Sequence, residues 1–290
     1  MDHVSDETAG DPIGMSDTEL SQAPTVFRDD AFAGQVVLIS GAAGGLGRAT
    51  AWLLGRLGAR LVLVGRDQDR LDALARLLSP QGIEALPRAV DIRDTAAVQQ
   101  LFTEIGERYG RLDALINSAG GQFPQEAIDF SEKGWNAVIN TNLNGTWFMM
   151  QAAARFWRDR GQPGTIVNIV VVTRHGLYGV AHTVAARAGV VALSQNLAVE
   201  WAPLGIRINC IAPGAIETEG WKVYSAEARA LYHRSNPMMR NGSPWEVAEA
   251  CAYLASPASA YVTGEVMHVA GGGQHWGETW TIGKPDYFKE

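Results

Sequence analysis

Short apolar runs alternate with longer amphipathic segments from about residue 35 onward. The segments between the runs, such as LGRATAWLLGRLG and TAAVQQLFTEIGERYG, carry apolar residues at helical spacing. Runs without polar alternation are typical of strands buried on both faces. The pattern predicts an α/β fold, a doubly wound, Rossmann-like parallel sheet of about seven strands with helices on both faces. The predicted strands lie in QVVLIS, RLVLVG, ALPRAV, LDALIN, TIVNIVVV, IRINCIA and EVMHVA.

The charge pattern divides the chain into three predicted parts. Residues 1–33 hold eight acids and one base, and we expect them to form a disordered acidic tail. Residues 34–273 are the predicted folded domain, and 274–290 are a C-terminal extension. The net charge of the whole chain is −7 and resides in the tail, so the rest of the chain is neutral. A neutral body lacks the electrostatic footprint of nucleic-acid or membrane binding.

Further features indicate a cytoplasmic protein without a metal. No segment approaches the roughly 18 unbroken apolar residues that span a bilayer, and the acidic N-terminus resembles neither a secretory signal nor a transit peptide. Cys210 and Cys251 lie in apolar runs and are predicted to be buried, reduced thiols. No Cys/His set has metal-ligand spacing.

A glycine-rich turn, SGAAGGLGR at 40–48, joins the first predicted strand to a helix. Gly41 permits a tight turn, Gly45 lets the backbone approach a pyrophosphate, and Gly47 lets helix and strand pack closely. The helix that begins near Leu46 directs free N–H groups and its positive dipole end at the phosphates. The turn predicts a dinucleotide site.

The end of the second strand bears on the choice of cofactor. An acid at its tip would take both ribose hydroxyls of NAD, but the tip is Gly65, followed by Arg66. A guanidinium there suits a 2′-phosphate, which favours NADPH over NAD. In the alternative interpretation, Arg66 is a solvated loop residue and Asp67 only caps the next helix.

These residues, with the element 117–120 (NSAG) and Pro213-Gly214, resemble the short-chain dehydrogenase/reductase family over about 33–272. The resemblance implies a bracing role for Asn117 to Gly120 and an adenine contact for Asp91. It also implies that the loop 213–218 holds the nicotinamide carboxamide. The cofactor contacts implied in these segments are Asp91, Asn117, Ala119, Gly120, Pro213, Gly214, Ile216 and Thr218.

Within that family, the chain is most similar to peroxisomal-type trans-2-enoyl-CoA reductases and to 2,4-dienoyl-CoA reductases. This similarity implies that the substrate is a small-molecule acyl thioester. The blocks that carry it are GGQF at 120–123, KGW at 133–135, TNLNGT at 141–146, and AH at 181–182 followed by AARAGV at 185–190.

The predicted catalytic segment departs from the Tyr-x-x-x-Lys pattern of the family's carbonyl reductases. Thr183 stands at the tyrosine position, Arg187 at the lysine position, and Val170 or Val171 at the serine position, whereas Asn142 matches the family's asparagine. A threonine hydroxyl is too weak an acid to protonate an alkoxide. Arg187 stays charged and is predicted to hold the nicotinamide ribose by hydrogen bonds. The predicted site therefore lacks the acid that ketone reduction requires.

Conjugate reduction places fewer demands on the site. Charge collects on the thioester oxygen as an enolate, which needs hydrogen-bond donors worth roughly 10²–10³ in rate each. We expect Asn142, Thr183 and His182 to form this donor set, with the α-carbon protonated later by water or His182. The sequence therefore predicts an NADPH-dependent oxidoreductase that reduces the C=C bond of a 2-enoyl thioester.

Two other functions remain open from the sequence. In one, Tyr178 or a water replaces the missing tyrosine, and the protein is an alcohol/carbonyl oxidoreductase. In the other, the chain is a noncatalytic NADP-binding scaffold.

Several neighbouring residues have two interpretations. Trp221, Trp276 and Trp280 line a substrate pocket, or they belong to the core or to a subunit interface. Arg174 and His175 are expected at the surface. The alanine-rich helix near 182–202 predicts a homo-oligomer, dimer or tetramer, with 271–273 near a subunit contact.

Overall fold

The computed structural model describes residues 13–174 and 176–288. Within these ranges, seven parallel strands form one sheet in the order β3-β2-β1-β4-β5-β6-β7. Each predicted strand is present, which confirms the Rossmann-like fold. The strands are β1 (Val36–Ser40), β2 (Arg60–Gly65), β3 (Ala85–Ala89), β4 (Ala114–Asn117), β5 (Gly164–Ile169), β6 (Ile206–Pro213) and β7 (Val266–Val269).

Helices cover both faces of the sheet and bury two main apolar clusters. One cluster packs α2 and α9 against one face, and the other packs α4 and α6 against the opposite face. β1 is buried along its whole length, as its uninterrupted apolar run requires. The helices are α1 (Asp17–Gln22), α2 (Gly45–Arg56), α3 (Gln68–Leu78), α4 (Thr95–Tyr109), α5 (Glu132–Ile139), α6 (Thr146–Arg160), α7 (Ala181–Glu200), α8 (Ala226–Leu231) and α9 (Pro244–Ala255).

The strand order places a switch point between β1 and β4. The crossover from β1 runs outward through β2 and β3, and the chain then returns to the other side of β1. In sheets of this kind, ligands bind beyond the carboxyl ends of the strands at the switch point. The glycine turn at 40–48 and the element 117–120 both leave the sheet there.

The N-terminal segment 13–33 is folded, so the prediction of a disordered tail over 1–33 is wrong for these residues. Leu20 and Phe32 are buried in the core. The Asp17 carboxylate lies 2.9 Å from Arg48 Nε and accepts a 2.8 Å hydrogen bond from Trp52 Nε1. The prediction relied on the acidic composition of the segment and overlooked its few apolar residues that pack into the core. The first twelve residues of the predicted tail lie outside the described residues.

Two further predictions concern burial and the membrane. Cys210 and Cys251 are free thiols inside the core, as their apolar runs indicate. Across the two described ranges, every helix is too short or too polar to traverse a lipid bilayer.

Candidate active site

The glycine turn has the backbone geometry that its sequence predicts. Gly41 has φ +71°, and a Cβ there would lie 2.7 Å from the backbone of Ala119. A Cβ on Gly47 would lie 2.3 Å from the Gly41 carbonyl oxygen, so α2 packs directly on the turn. A Cβ on Gly45 would meet the Thr218 side chain at 2.6 Å, so the loop after β6 closes over the start of α2.

A polar chain crosses the sheet at its carboxyl edge. Ser40, Asn117, Asn168 and Cys210 stand side by side in the strand register. Asn117 Nδ2 donates to Asn168 Oδ1 at 2.9 Å, and Asn168 Nδ2 donates to Ser194 Oγ at 3.0 Å. These buried bonds tie β4 and β5 to α7, which carries the predicted catalytic residues. The bracing that the family resemblance implied for Asn117 therefore extends to Asn168 and Ser194, which the sequence reasoning missed.

Basic side chains surround the tips of β2 and β3. Arg66 is exposed, and Asp91 lies two residues beyond the end of β3. Hydrogen bonds from Arg93 hold the pKa of Asp91 at about 2, and the charge of Arg66 contributes. Arg70 donates to the Ala43 carbonyl of the glycine turn at 3.0 Å. Sequence reasoning missed Arg70, although its position in the first turn of the helix that Asp67 caps was the available signal.

Asp67 takes the role given in the alternative interpretation. Its carboxylate accepts the Arg70 backbone N–H at 3.1 Å as the N-cap of α3. This cap does not engage the Arg66 guanidinium. Capping by Asp67 is therefore compatible with phosphate binding by Arg66.

Arg187 is a buried cation at the centre of the site. Its guanidinium donates to the carbonyls of Ala119 at 3.1 Å and Asn142 at 3.3 Å. Within 13–174 and 176–288, no carboxylate forms an ion pair with it. Burial lowers the pKa of Arg187 to about 10, so it is charged at neutral pH. A Cβ on Gly120 would lie 2.1 Å from its Nη2, so glycine makes room for the guanidinium.

Asn142 lies in a π-helical segment, Asn140–Gly145, between α5 and α6. Such segments often occur at functional sites. The amide of Asn142 pairs with the backbone of Gly121, because its Oδ1 accepts from Gly121 N at 3.0 Å and one Nδ2–H donates to Gly121 O at 2.9 Å. This pairing holds the Gly121 backbone and leaves the second Nδ2–H of the amide, so the predicted part of Asn142 in the donor set stays a prediction.

Thr183 and His182 begin α7 and are both buried. His182 Nδ1 accepts the Thr183 backbone N–H at 2.7 Å and lies 3.3 Å from the Thr183 hydroxyl. The imidazole stacks on Phe130 and meets Phe123 edge-on, each with a centroid distance of 4.5 Å. Burial lowers the pKa of His182, which favours the neutral ring. This environment fits a residue that orients Thr183 better than one that protonates a substrate.

Two adjacent cavities occupy the carboxyl edge. The inner cavity, of about 390 Å³, is lined by Leu46, Gly120, Asn142, Thr183, Arg187 and Thr218, among others. The outer cavity, of about 260 Å³, is lined by Leu177, Trp221, Tyr232, Glu278 and Trp280, among others. Gln122, Val171, Trp221 and Tyr224 border both. The inner cavity therefore brings Asn142, Thr183 and Arg187 together with part of the predicted dinucleotide set, whereas His182 and Arg66 are not in its lining.

The C-terminal extension builds part of the outer cavity. The Thr281 hydroxyl donates to the Tyr178 carbonyl, and Trp280 packs against the Tyr178 ring with a centroid distance of 5.8 Å. Trp221 and Trp280 line the cavity as one interpretation predicted, but Trp276 does not and is 59% exposed.

Tyr178 lines neither cavity. Its hydroxyl donates to Glu126 at 2.9 Å, and that bond raises the pKa of the phenol. A substitute acid would need to reach the inner cavity, so this placement does not favour Tyr178. Arg174 is exposed as expected, whereas His175 lies outside the described residues.

A phenol that the sequence reasoning missed does border the inner cavity. Tyr224, in the loop after β6, is half-buried, and its hydroxyl accepts a hydrogen bond from Gln122 Nε2. No motif indicates this residue, because it belongs to a loop far from the catalytic helix in sequence.

The inner cavity fits a nicotinamide dinucleotide. The glycine turn presents the start of α2. Among the residues that the structure describes, the buried Arg187 donates only to carbonyls, which leaves its remaining N–H groups for ribose hydroxyls. The Thr218 loop closes against Gly45 on the other side.

Comparison with known proteins places the chain in a family. A family model described as enoyl-(acyl carrier protein) reductase matches residues 41–274. The probable 2,4-dienoyl-CoA reductase of Bacillus subtilis is 38% identical over 243 residues, covering 82% of this chain and 96% of that protein. The chain belongs to the short-chain dehydrogenase/reductase family. It is therefore an oxidoreductase that binds a nicotinamide cofactor.

Other members of the family give a mixed picture of the substrate. The peroxisomal 2,4-dienoyl-CoA reductase of Saccharomyces cerevisiae is 37% identical, covering 87% of this chain and 88% of that protein. A 3-oxoacyl-[acyl-carrier-protein] reductase of Thermotoga maritima is 34% identical, covering 82% of this chain and 97% of that protein. The structure of the citronellol catabolism dehydrogenase of Pseudomonas aeruginosa superimposes with a TM-score of 0.77 at 34% identity. The match covers 87% of this chain and 99% of that protein.

Proposed function

We propose that the protein is an NADPH-dependent reductase of the C=C bond of a 2-enoyl thioester. The observation that carries the proposal is the pair Thr183 and Arg187 in the inner cavity, at the positions of the family's tyrosine and lysine. This pair stabilises negative charge on oxygen but does not supply the acid of a carbonyl reductase.

The Thr183 hydroxyl is available as a donor. The Thr183 backbone N–H is shared between the Val180 carbonyl at 2.9 Å and His182 Nδ1 at 2.7 Å, and the hydroxyl lies farther from Nδ1, at 3.3 Å. Thr183 lines the inner cavity, and in this proposal its hydroxyl turns toward that cavity. There it would stabilise a thioester enolate oxygen as charge develops.

When bound, a reduced nicotinamide supplies the hydride. The residues that would hold it are the glycine turn with Leu46, the loop from Pro213 to Thr218, and Arg187. Asn142 supports the site by fixing the backbone of Gly121. We propose NADPH because the Arg66 guanidinium is exposed at the tip of β2, where a 2′-phosphate would lie.

The printed names of the relatives support a thioester substrate. The dienoyl-CoA reductases and the 3-oxoacyl-[acyl-carrier-protein] reductase all act on acyl groups carried as thioesters. They differ in whether a C=C or a C=O bond is reduced, and Thr183 favours the first. We further propose a cytoplasmic homo-oligomer, in which α7 and the turn at 271–273 lie at subunit contacts.

Substrate discrimination tests the proposal. Purified protein is mixed with NADPH and either trans-2-hexenoyl-CoA or acetoacetyl-CoA, and absorbance at the NADPH band is followed. We expect oxidation with the enoyl compound only. Turnover of the ketone would support carbonyl reduction instead, and tight NADPH binding without turnover of either would support a scaffold.

A further inference from the structure

We infer that Tyr224 is the residue that delivers the proton to the α-carbon of the substrate. The inference rests on the proposed function and adds a catalytic residue to it. Tyr224 lies between β6 and α8, and its side chain borders both the inner cavity and the outer cavity. It therefore stands where an acyl group in the outer cavity meets Thr183 and Arg187 in the inner one.

The hydrogen bond to Tyr224 leaves its own proton free. Gln122 Nε2 donates to the phenol oxygen, so the amide occupies a lone pair of the oxygen and not its hydrogen. Among the described residues, none accepts a hydrogen bond from this hydroxyl. Tyr232 packs edge-on against the ring with a centroid distance of 5.6 Å and fixes its plane. The Tyr224 ring is therefore held in place while its hydroxyl hydrogen has no acceptor among the described residues.

The proton balance of the reaction matches this arrangement. Hydride adds to the β-carbon, and the electron pair of the C=C bond moves toward the thioester oxygen. The O–H bond of Tyr224 then breaks as a C–H bond forms at the α-carbon. The Gln122 N–H stabilises the resulting phenolate, and water returns a proton to it after product leaves.

The acidity of Tyr224 suits this direction. Burial raises the pKa of Tyr224, while the bond from Gln122 lowers it and opposes that shift. The phenol therefore stays protonated at neutral pH. A thioester enolate is a far stronger base than a phenolate, so proton transfer to its carbon is favourable even from a phenol of raised pKa.

The other candidate acids near the two cavities lack the position of Tyr224. The Tyr232 hydroxyl has no hydrogen-bond partner among the described residues, but Tyr232 lines the outer cavity and not the inner one. Tyr178 donates to Glu126 outside both cavities. The ring of His182 is enclosed by Phe123 and Phe130. Glu278 borders the outer cavity, but its carboxylate accepts from Trp280 and Lys284.

The test compares Tyr224→Phe with Tyr178→Phe, a matched loss of one phenol oxygen outside both cavities. Each full-length variant is given NADPH and trans-2-hexenoyl-CoA in D₂O, and NMR of the product reports which face of the α-carbon received deuterium. NADPH affinity is measured separately by fluorescence titration, and thermal unfolding verifies that each variant is folded.

We expect Tyr224→Phe to lower kcat by about 10²-fold or more, the range for a positioned acid. Deuterium should then enter both faces of the α-carbon, because water protonates the released enolate, while the Kd for NADPH stays within twofold of the wild-type value. Tyr178→Phe should retain single-face labelling and near-normal kcat. Gln122→Leu should lower kcat by less than Tyr224→Phe does.

Two results would overturn the assignment in distinguishable ways. If the wild-type protein reduces the enoyl thioester and Tyr224→Phe still labels a single face of the α-carbon, Tyr224 is not the proton donor, but the proposed enoyl reductase activity stands. If the wild-type protein binds NADPH yet reduces no enoyl thioester, both the assignment of Tyr224 and the proposed function are wrong.

Discussion

The two ends of the site are built in different ways. The nucleotide end comes from one contiguous stretch, β1, the glycine turn and α2, and backbone contacts fix it, as at Gly41 and Gly47. The substrate end is assembled from the loops after β4, β5 and β6 and from the C-terminal extension. Side-chain contacts such as Gln122 to Tyr224 hold these parts together. Backbone contacts therefore fix the nucleotide end, whereas side chains set the chemistry of the substrate end.

Arg187 joins the two ends, because it donates to Ala119 after β4 and to Asn142 before α6. We expect Arg187→Met to lower kcat/KM by about 10³-fold and to weaken NADPH binding, since it removes a buried donor set and leaves two carbonyls unpaired. Steady-state kinetics and fluorescence titration would measure both effects. Arg187→Lys is the control, and it should retain more of the kcat/KM and more of the NADPH affinity than Arg187→Met does. A Met variant within tenfold of wild type would show that the two ends are independent.

In the proposed mechanism, Thr183 acts only at the substrate end. Thr183→Val preserves the shape of the side chain but removes the hydroxyl, and we expect kcat to fall about 10²-fold, as for loss of one oxyanion donor. The Kd for NADPH should not change. Thr183→Ser keeps a hydroxyl and should recover most of the rate. Normal turnover by the Val variant would mean that the hydroxyl does not contact the developing charge.

Arg66 tests the other end alone. Arg66→Ala should raise the Kd for NADPH about tenfold or more by removing a charge-assisted bond to phosphate, with little effect on NADH. Arg76→Ala, an exposed arginine later in α3, serves as the control. An equal loss of affinity for NADH would assign Arg66 a general electrostatic role without 2′-phosphate recognition.

The N-terminal segment should affect stability without affecting chemistry. Leu20 is buried against the nucleotide end of the fold, and we expect Leu20→Ala to reduce the free energy of unfolding by about 2–5 kcal/mol. Urea unfolding measures this, and kcat per folded molecule should be unchanged. Val26→Ala, at a side chain that is 93% exposed, should change stability by less than about 0.5 kcal/mol. Equal stabilities of the two variants would contradict the docking of 13–33.

The sequence by itself determined the sheet, the glycine turn and the presence of Thr183 and Arg187 at the positions of the family's tyrosine and lysine. These features depend on local periodicity and on spacing along one helix, both of which are readable from neighbouring residues. Only the tertiary structure decided that Asn142 is engaged by Gly121, that His182 is enclosed by aromatic rings, and that Tyr224 borders the inner cavity. Those placements depend on contacts between residues tens of positions apart, which no local pattern records. The same reason explains the folding of 13–33, where a few buried apolar side chains outweigh an acidic composition.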